Sequence, residues 1–352
     1  MSAEAGQQFP NLFSAIEIGP VTIPNRIVST GHHTYLAHEH PSEELIAYHE
    51  ARARGGVGMS TIQATSVHPN APSGIPLWSD KCLPFLEEIS QRVHRHGMKL
   101  FHQLYHPGAG YGEAMGASEH WSASEIPNPM AGVVPVAITK TQIDDLVAHF
   151  AGAARRVRDA GLDGVDIHAS SGYLLHEFLS PALNKRTDAY GGSAENRMRL
   201  LIEVITAVRE AVGDGDFAVG VRLPNEDYVP GGLTAELNRD IALAVDPMVD
   251  YVSLHMGAYW RFHRLIAPAD DPLGVEMQSN AAITPLLSSP TIVVGRIMTM
   301  DHANHIVSSG EADMVSMVRA LIADPELVNK ARRGEEHRIR PCIGSNMGCV
   351  GR

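Results

Sequence analysis

Short, near-continuous apolar runs rich in β-branched residues recur along the chain. Each is followed by a stretch of helical periodicity or by a longer insert. The runs cover residues 25–30, 56–67, 99–104, 163–169, 216–223, 250–256, 291–296 and 312–319. Several do not alternate apolar with polar positions, which suits parallel strands covered on both faces. Apolar positions at helical spacing stand out over 42–54, 83–96, 141–160 and 194–212. Ser193 before the last of these and Gly213 after it supply start and stop signals. Eight strand candidates alternating with helices predict an α/β fold, a (β/α)8 TIM barrel in a single domain. A doubly wound open sheet is the runner-up, weakened because no strand–turn carries the Gly-rich dinucleotide fingerprint.

Two connections are too long for an ideal barrel. Residues 105–140 are rich in Gly, Ala, Ser and Pro, and 257–289 mix aromatics, His and Pro. In a barrel they leave the C-terminal ends of the third and sixth strands, the face where such folds place their active sites. Residues 15–19 and 21–23, around Gly19-Pro20, read as a short hairpin that could close the barrel bottom.

Composition narrows the class. The 352 residues include 28 Lys+Arg and 40 Asp+Glu, a formal net charge of −12, with 44% hydrophobic and 19% charged residues. That balance speaks against disorder and against nucleic acid or an anionic membrane surface as partner. No apolar run reaches the ~18 residues of a membrane span. The N-terminus lacks the basic start and apolar stretch of a signal peptide. Cys82, Cys342 and Cys349 are too few for a disulfide framework. A soluble, cytoplasmic protein acting on a small molecule is expected, with assembly into a homo-oligomer left open.

Candidate chemistry gathers at strand ends. His32 and His33 follow the first strand; Gln103, Tyr105 and His106 lie at the exit of the third. His168, Ser171 and Tyr173 follow the fourth, and His255, Tyr259 and Trp260 the sixth. Singly each His reads as structural, but convergence on one barrel face reads as a substrate site, with His32, His33, Tyr105, His255, Tyr259 and Trp260 lining it. No metal is expected, because no helix carries paired His at ligand spacing with a carboxylate.

Residues 161–199, GLDGVDIHASSGYLLHEFLSPALNKRTDAYGGSAENRMR, are the most specific segment. They closely resemble the Old Yellow Enzyme superfamily of FMN-dependent oxidoreductases. Asn25-Arg26-Ile27, residues 58–67, 101–108 and 219–223, Gly295-Arg296 and residues 317–325 fall in the family's order, so the resemblance spans about residues 10 to 349. His106-Pro107-Gly108-Ala109 and the tail RPCIGSNMGC (340–349) lean toward the branch of 2,4-dienoyl-CoA reductase and trimethylamine dehydrogenase. The tail is similar to that branch's CxxCxxxC run of [4Fe–4S] ligands, but Ser345 stands at the second cysteine and the chain stops at Arg352 before a fourth. A cluster needs about four thiolates, so none is expected here. Either the lineage has lost it or this is the barrel part of a longer flavoprotein. The expected division is a barrel over 1–335 and a tail over 336–352.

The resemblance implies noncovalent FMN, because His33 stands where the amine dehydrogenases carry their flavin-linking cysteine. It implies that Arg222 faces the N1/O2 edge, where a cation stabilises the reduced flavin. It places Gln103 on the pyrimidine edge, Ala64 beside the ring, and Ser29, Thr30 and Gly31 along another edge. Gly295, Arg296 and Arg319 would take the phosphate. His168 and Ser171 match the pair that holds a substrate carbonyl, and Tyr173 the proton-donating tyrosine. The function implied is NAD(P)H-supplied reduction of an activated C=C bond, an enone or enoyl thioester. The alternatives are oxidative dehydrogenation or demethylation of a small methylated amine, and a flavin-binding subunit of a larger electron-transfer assembly.

Overall fold

The computed structural model describes residues 8–37, 40–110, 119–128 and 132–350. A hairpin of β1 (Ile16–Ile18) and β2 (Val21–Ile23) precedes eight parallel strands. These are β3 (Ile27–Ser29), β4 (Met59–Ser66), β5 (Lys99–Tyr105), β8 (Gly164–His168), β9 (Ala218–Pro224), β10 (Tyr251–His255), β11 (Thr291–Val293) and β12 (Met314–Ser316). They pair in that order, and β12 returns to β3, closing the predicted barrel. Two further short strands, β6 (Trp121–Ser122) and β7 (Val136–Ala137), pair within the 105–140 connection.

Outer helices lie where the apolar periodicity places them: α1 (Glu43–Arg54), α2 (Leu83–His94), α3 (Lys140–Asp159), and, after the short α4 (Leu174–Leu179), α5 (Ala194–Val212). Ser42, Thr139 and Ser193 cap their helices by accepting backbone N–H groups, and Gln142 completes a capping box with Thr139. Thr139→Ala should lower the melting temperature by no more than about 3 °C, the scale of a lost cap of ~1 kcal/mol in a domain of this size; a thermal melt checks it. No helix of the described residues is long and apolar enough to cross a membrane.

The strands stack their inward side chains in layers, because alternate residues face one side. The bottom layer is apolar: Val28, Met59, Phe101, Ala218, Tyr251, Ile292 and Met314 pack with Ile18, Val21 and Ile23 of the hairpin, which plugs the barrel as the sequence predicts. Gly220 is required there, since a Cβ would lie 2.1 Å from the Tyr251 ring. One step up, register aligns Gln103, Asp166 and Gly220. One step further it aligns His168, Arg222 and Ser253. An apolar floor thus carries a buried polar layer facing the C-terminal mouth.

Two strand predictions run long. The 291–296 run ends as strand at Val293 because the chain turns through Gly295 (φ 128°) and Arg296 (φ 53°). The 312–319 run divides after Ser316, and Val318 opens a short helix, Val318–Ala323. A short apolar run does not distinguish strand from helix.

Candidate functional site

Arg222 is the centre of the buried layer. It is 4% exposed, and among the described residues its side chain makes one hydrogen bond, from a guanidinium nitrogen to Ser253 Oγ at 2.9 Å, with no carboxylate at ion-pair distance. A barrel-core ion pair is therefore not its role. Burial depresses its pKa, with Asp166 acting the other way. Asp166 accepts Gln103 Nε2–H at 2.7 Å, and its carboxyl is pushed up to about 6 by burial, against the opposing pull of Arg222. Gln103 also reaches the first strand's exit: a Cβ on Gly31 would lie 2.8 Å from its Oε1. Cation, amide and bare glycine backbone converge in one space, a donor set that suits an anionic, planar heterocycle and so fits FMN.

Thr30 departs from expectation. Its amide and hydroxyl both turn to Ser316 Oγ of β12, at 3.4 and 2.9 Å, so its N–H is not free for the ring. Ser29 is buried beside it, its hydroxyl without a partner among the described residues. At the far end, Gly295 leaves no room for a Cβ, which would lie 2.7 Å from Glu276 Cγ. Arg296 donates to Ala269 O at 2.9 Å and keeps a buried Nε with no partner among the described residues. Arg319 donates to Ala267 O and to Asn346 Oδ1, both at 2.8 Å. The cysteine-bearing tail therefore packs on the cation expected to bind phosphate, a contact the sequence does not signal.

Above this layer lies an aromatic wall. Ala64 packs with Tyr105, Tyr173 and Tyr259. Tyr173 meets Tyr105 edge-on at 4.7 Å between ring centroids and His168 at 4.9 Å. The Tyr173 and Tyr259 hydroxyls lie 2.7 Å apart, although 86 residues separate them. Ser170 fixes the chemistry of His168. Its N–H donates to His168 Nδ1 at 3.3 Å, so the ring proton sits on Nε2, and burial holds His168 neutral. Ser171 adopts a left-handed conformation (φ 66°), and its carbonyl accepts the Tyr259 N–H at 3.1 Å, tying the fourth-strand loop to the 257–289 connection. Strain of this kind is typical of functional loops.

The remaining predicted residues divide. His33 meets Tyr105 at 6.2 Å, and Trp260 lies over Gly172, whose added Cβ would be 3.0 Å from its ring. His255 is held beside the buried Glu276 at 3.4 Å. His32 does not line the site with a free nitrogen. Nδ1–H donates to Thr30 O at 2.8 Å and Nε2 accepts the Tyr48 hydroxyl at 2.6 Å, facing α1. Burial lowers its pKa to about 4, so it stays neutral.

Glu177 is a buried acid the sequence leaves unmarked. Its Oε1 accepts the Ala109 N–H at 2.8 Å, yet burial pushes its carboxyl up to about 8. The folded chain therefore keeps a proton that the unfolded chain loses from about pH 4.5, and stability falls as pH rises through that window. Glu177→Gln keeps the acceptor and removes the proton. It should make the drop in melting temperature between about pH 6 and pH 9 smaller by at least ~2 °C; equal drops would contradict the assignment.

Comparison with known proteins agrees with this architecture. The NADH:flavin oxidoreductase / NADH oxidase family matches residues 11–338. The chain belongs to that family. The resemblance to Old Yellow Enzyme-like FMN oxidoreductases thus holds at the level of family and fold. A metal reductase of Desulforamulus reducens is 38% identical over 346 residues, covering 96% of this chain and 51% of that protein. A multifunctional alkene reductase/demethylase of Caballeronia cordobensis is 34% identical, covering 93% of this chain and 49% of that protein. A solved 2-naphthoyl-CoA reductase superposes with TM-score 0.89 at 27% identity, covering 97% of this chain and 55% of that one. The chain spans about half the length of these relatives.

Proposed function

We propose that this chain is an FMN-dependent, NAD(P)H-supplied reductase of activated C=C bonds, an enone or enoyl thioester. The observation that carries the reading is the pairing of two proton-bearing groups beside the flavin-type site: neutral His168 with its proton on Nε2, and Tyr173 hydrogen-bonded to Tyr259. FMN would be held by Arg222, Gln103 and Gly31 at the ring and by Gly295, Arg296 and Arg319 at the phosphate, and when bound it supplies hydride chemistry. Arg222 places positive charge in a water-poor layer, where it counts for far more than in water. His168 Nε2–H donates to the substrate carbonyl, with the shorter Ser171 as its partner. Tyr173 delivers a proton to the α-carbon, and Tyr259 passes one to Tyr173. With His33 in place of a linking cysteine the flavin is noncovalent, and with Ser345 between Cys342 and Cys349 the tail (336–352) holds no iron–sulfur cluster.

A second reading has its own support. Tyr105, Tyr173 and Tyr259 form an aromatic wall that suits the methyl groups and charge of a methylated amine. It is assembled from the third, fourth and sixth strand exits rather than from the second strand, where Ala64 stands. Anaerobic half-reactions separate the two. If the chain is a C=C reductase, NAD(P)H bleaches the flavin and an enone restores the colour, whereas methylated amines leave it oxidised. Bleaching by a methylated amine, with no reoxidation by any enone, would establish the second reading instead.

A further inference from the structure

Outside the flavin-type site, three side chains able to bind a metal meet where the exit of β4 packs on α3: His68, Asp145 and His149. Their ligand atoms all lie within 4.8 Å of one another. Asp145 and His149 are four residues apart on α3 and share a face; His68 is contributed from 77 residues before Asp145.

The hydrogen bonds around His68 fix its ring with Nε2 toward a carboxylate. Gly108 N–H donates to His106 Nδ1 at 3.2 Å, so the His106 proton is on Nε2 and donates to Asn70 Oδ1 at 2.8 Å. That donation fixes the amide orientation of Asn70 and aims the same oxygen at His68 Nδ1, 2.7 Å away. The Asn70 backbone N–H also donates toward this nitrogen, at 3.2 Å. His68 Nε2 points at Asp145 Oδ2, 2.9 Å away. His149 Nδ1–H donates to Asp145 O at 2.9 Å, the same nitrogen is 3.5 Å from Asp145 Oδ1, and the ring lies 4.3 Å from that of His68. A histidine whose far nitrogen is tied to an oxygen, as His68 Nδ1 is to Asn70, is oriented as metal ligands usually are.

We propose that His68, Asp145 and His149 bind a divalent transition ion, zinc by its preference for imidazole and carboxylate, with water completing the coordination. His68 is buried, His149 partly exposed and Asp145 half exposed, so an ion can enter from solvent. The site lies at the base of the 105–140 connection: the Trp121 ring is 4.6 Å from that of His68 and stacks on His106. Zinc there would clamp β4 and α3 beneath that connection.

Calorimetric titration of ZnCl2 into the chelator-stripped, flavin-loaded chain tests this, with His149→Ala, Asp145→Asn and the double variant Cys342→Ser/Cys349→Ser in parallel. The expected result is about one zinc per chain in the wild type and in the double cysteine variant. His149→Ala and Asp145→Asn should each weaken binding at least about tenfold, and the zinc-induced rise in melting temperature should vanish in His149→Ala. No zinc binding by the wild type would overturn the proposal and leave His68 and Asp145 as a salt bridge. Binding lost with the cysteines but unchanged in His149→Ala would overturn it equally.

Discussion

Arg222→Ala should weaken FMN binding by about 10- to 100-fold, the equivalent of a lost charge-assisted hydrogen bond of roughly 1.5–3 kcal/mol. It should also slow flavin reduction by NAD(P)H in the flavin-saturated protein. Both follow from an isolated buried cation: the Arg222 guanidinium has only Ser253 Oγ as a hydrogen-bond partner among the described residues. With the guanidinium gone, only hydrogen bonds from Gln103 and Tyr251 still oppose the burial of Asp166, so its pKa rises further and its carboxyl stays protonated over a wider range. Arg222→Lys keeps the charge but loses the planar fork, so it should fall between wild type and Ala. Equilibrium dialysis of FMN and stopped-flow reduction measure the two effects. Affinity and reduction rate unchanged in the Ala variant would remove Arg222 from the flavin site.

Tyr173→Phe should slow reoxidation of the reduced flavin by an enone by about 10²-fold or more, the usual scale for a lost general acid. Reduction by NAD(P)H needs no proton at that position and should change little. Tyr259→Phe leaves the Tyr173 hydroxyl in place but removes its partner at 2.7 Å, so it should give a smaller loss confined to the same half-reaction. The split between half-reactions distinguishes a proton donor from a packing residue. Tyr173 also packs against Tyr105, and damage to that contact would slow both halves together.

Much of the barrel is legible in the sequence because its strands are long apolar runs between clear turn signals. β4, β5 and β9 fall inside or within a residue of their predicted runs, and α5 matches its prediction from the Ser193 cap to Gly213. Legibility fails where backbone geometry cuts a run short, as at Gly295-Arg296, or where a short apolar run is equally good helix, as at Val318–Ala323. At the site, period-two alternation puts Gln103 and Arg222 on the inner face, and the same alternation could have found Asp166, two residues before His168. Ser170, Glu177 and Asn346 were not legible, since each acts through a partner that only the folded chain brings near. His32 shows the converse: a histidine next to predicted site residues is spent on Thr30 and Tyr48 once α1 packs behind it.

The central claim is that this barrel holds noncovalent FMN on Arg222, Gln103 and the loops after β3, β11 and β12. Purified with FMN and freed of unbound flavin, the folded chain should carry about one flavin, and denaturation should release it into solution. Folded protein with no flavin absorbance would contradict the account.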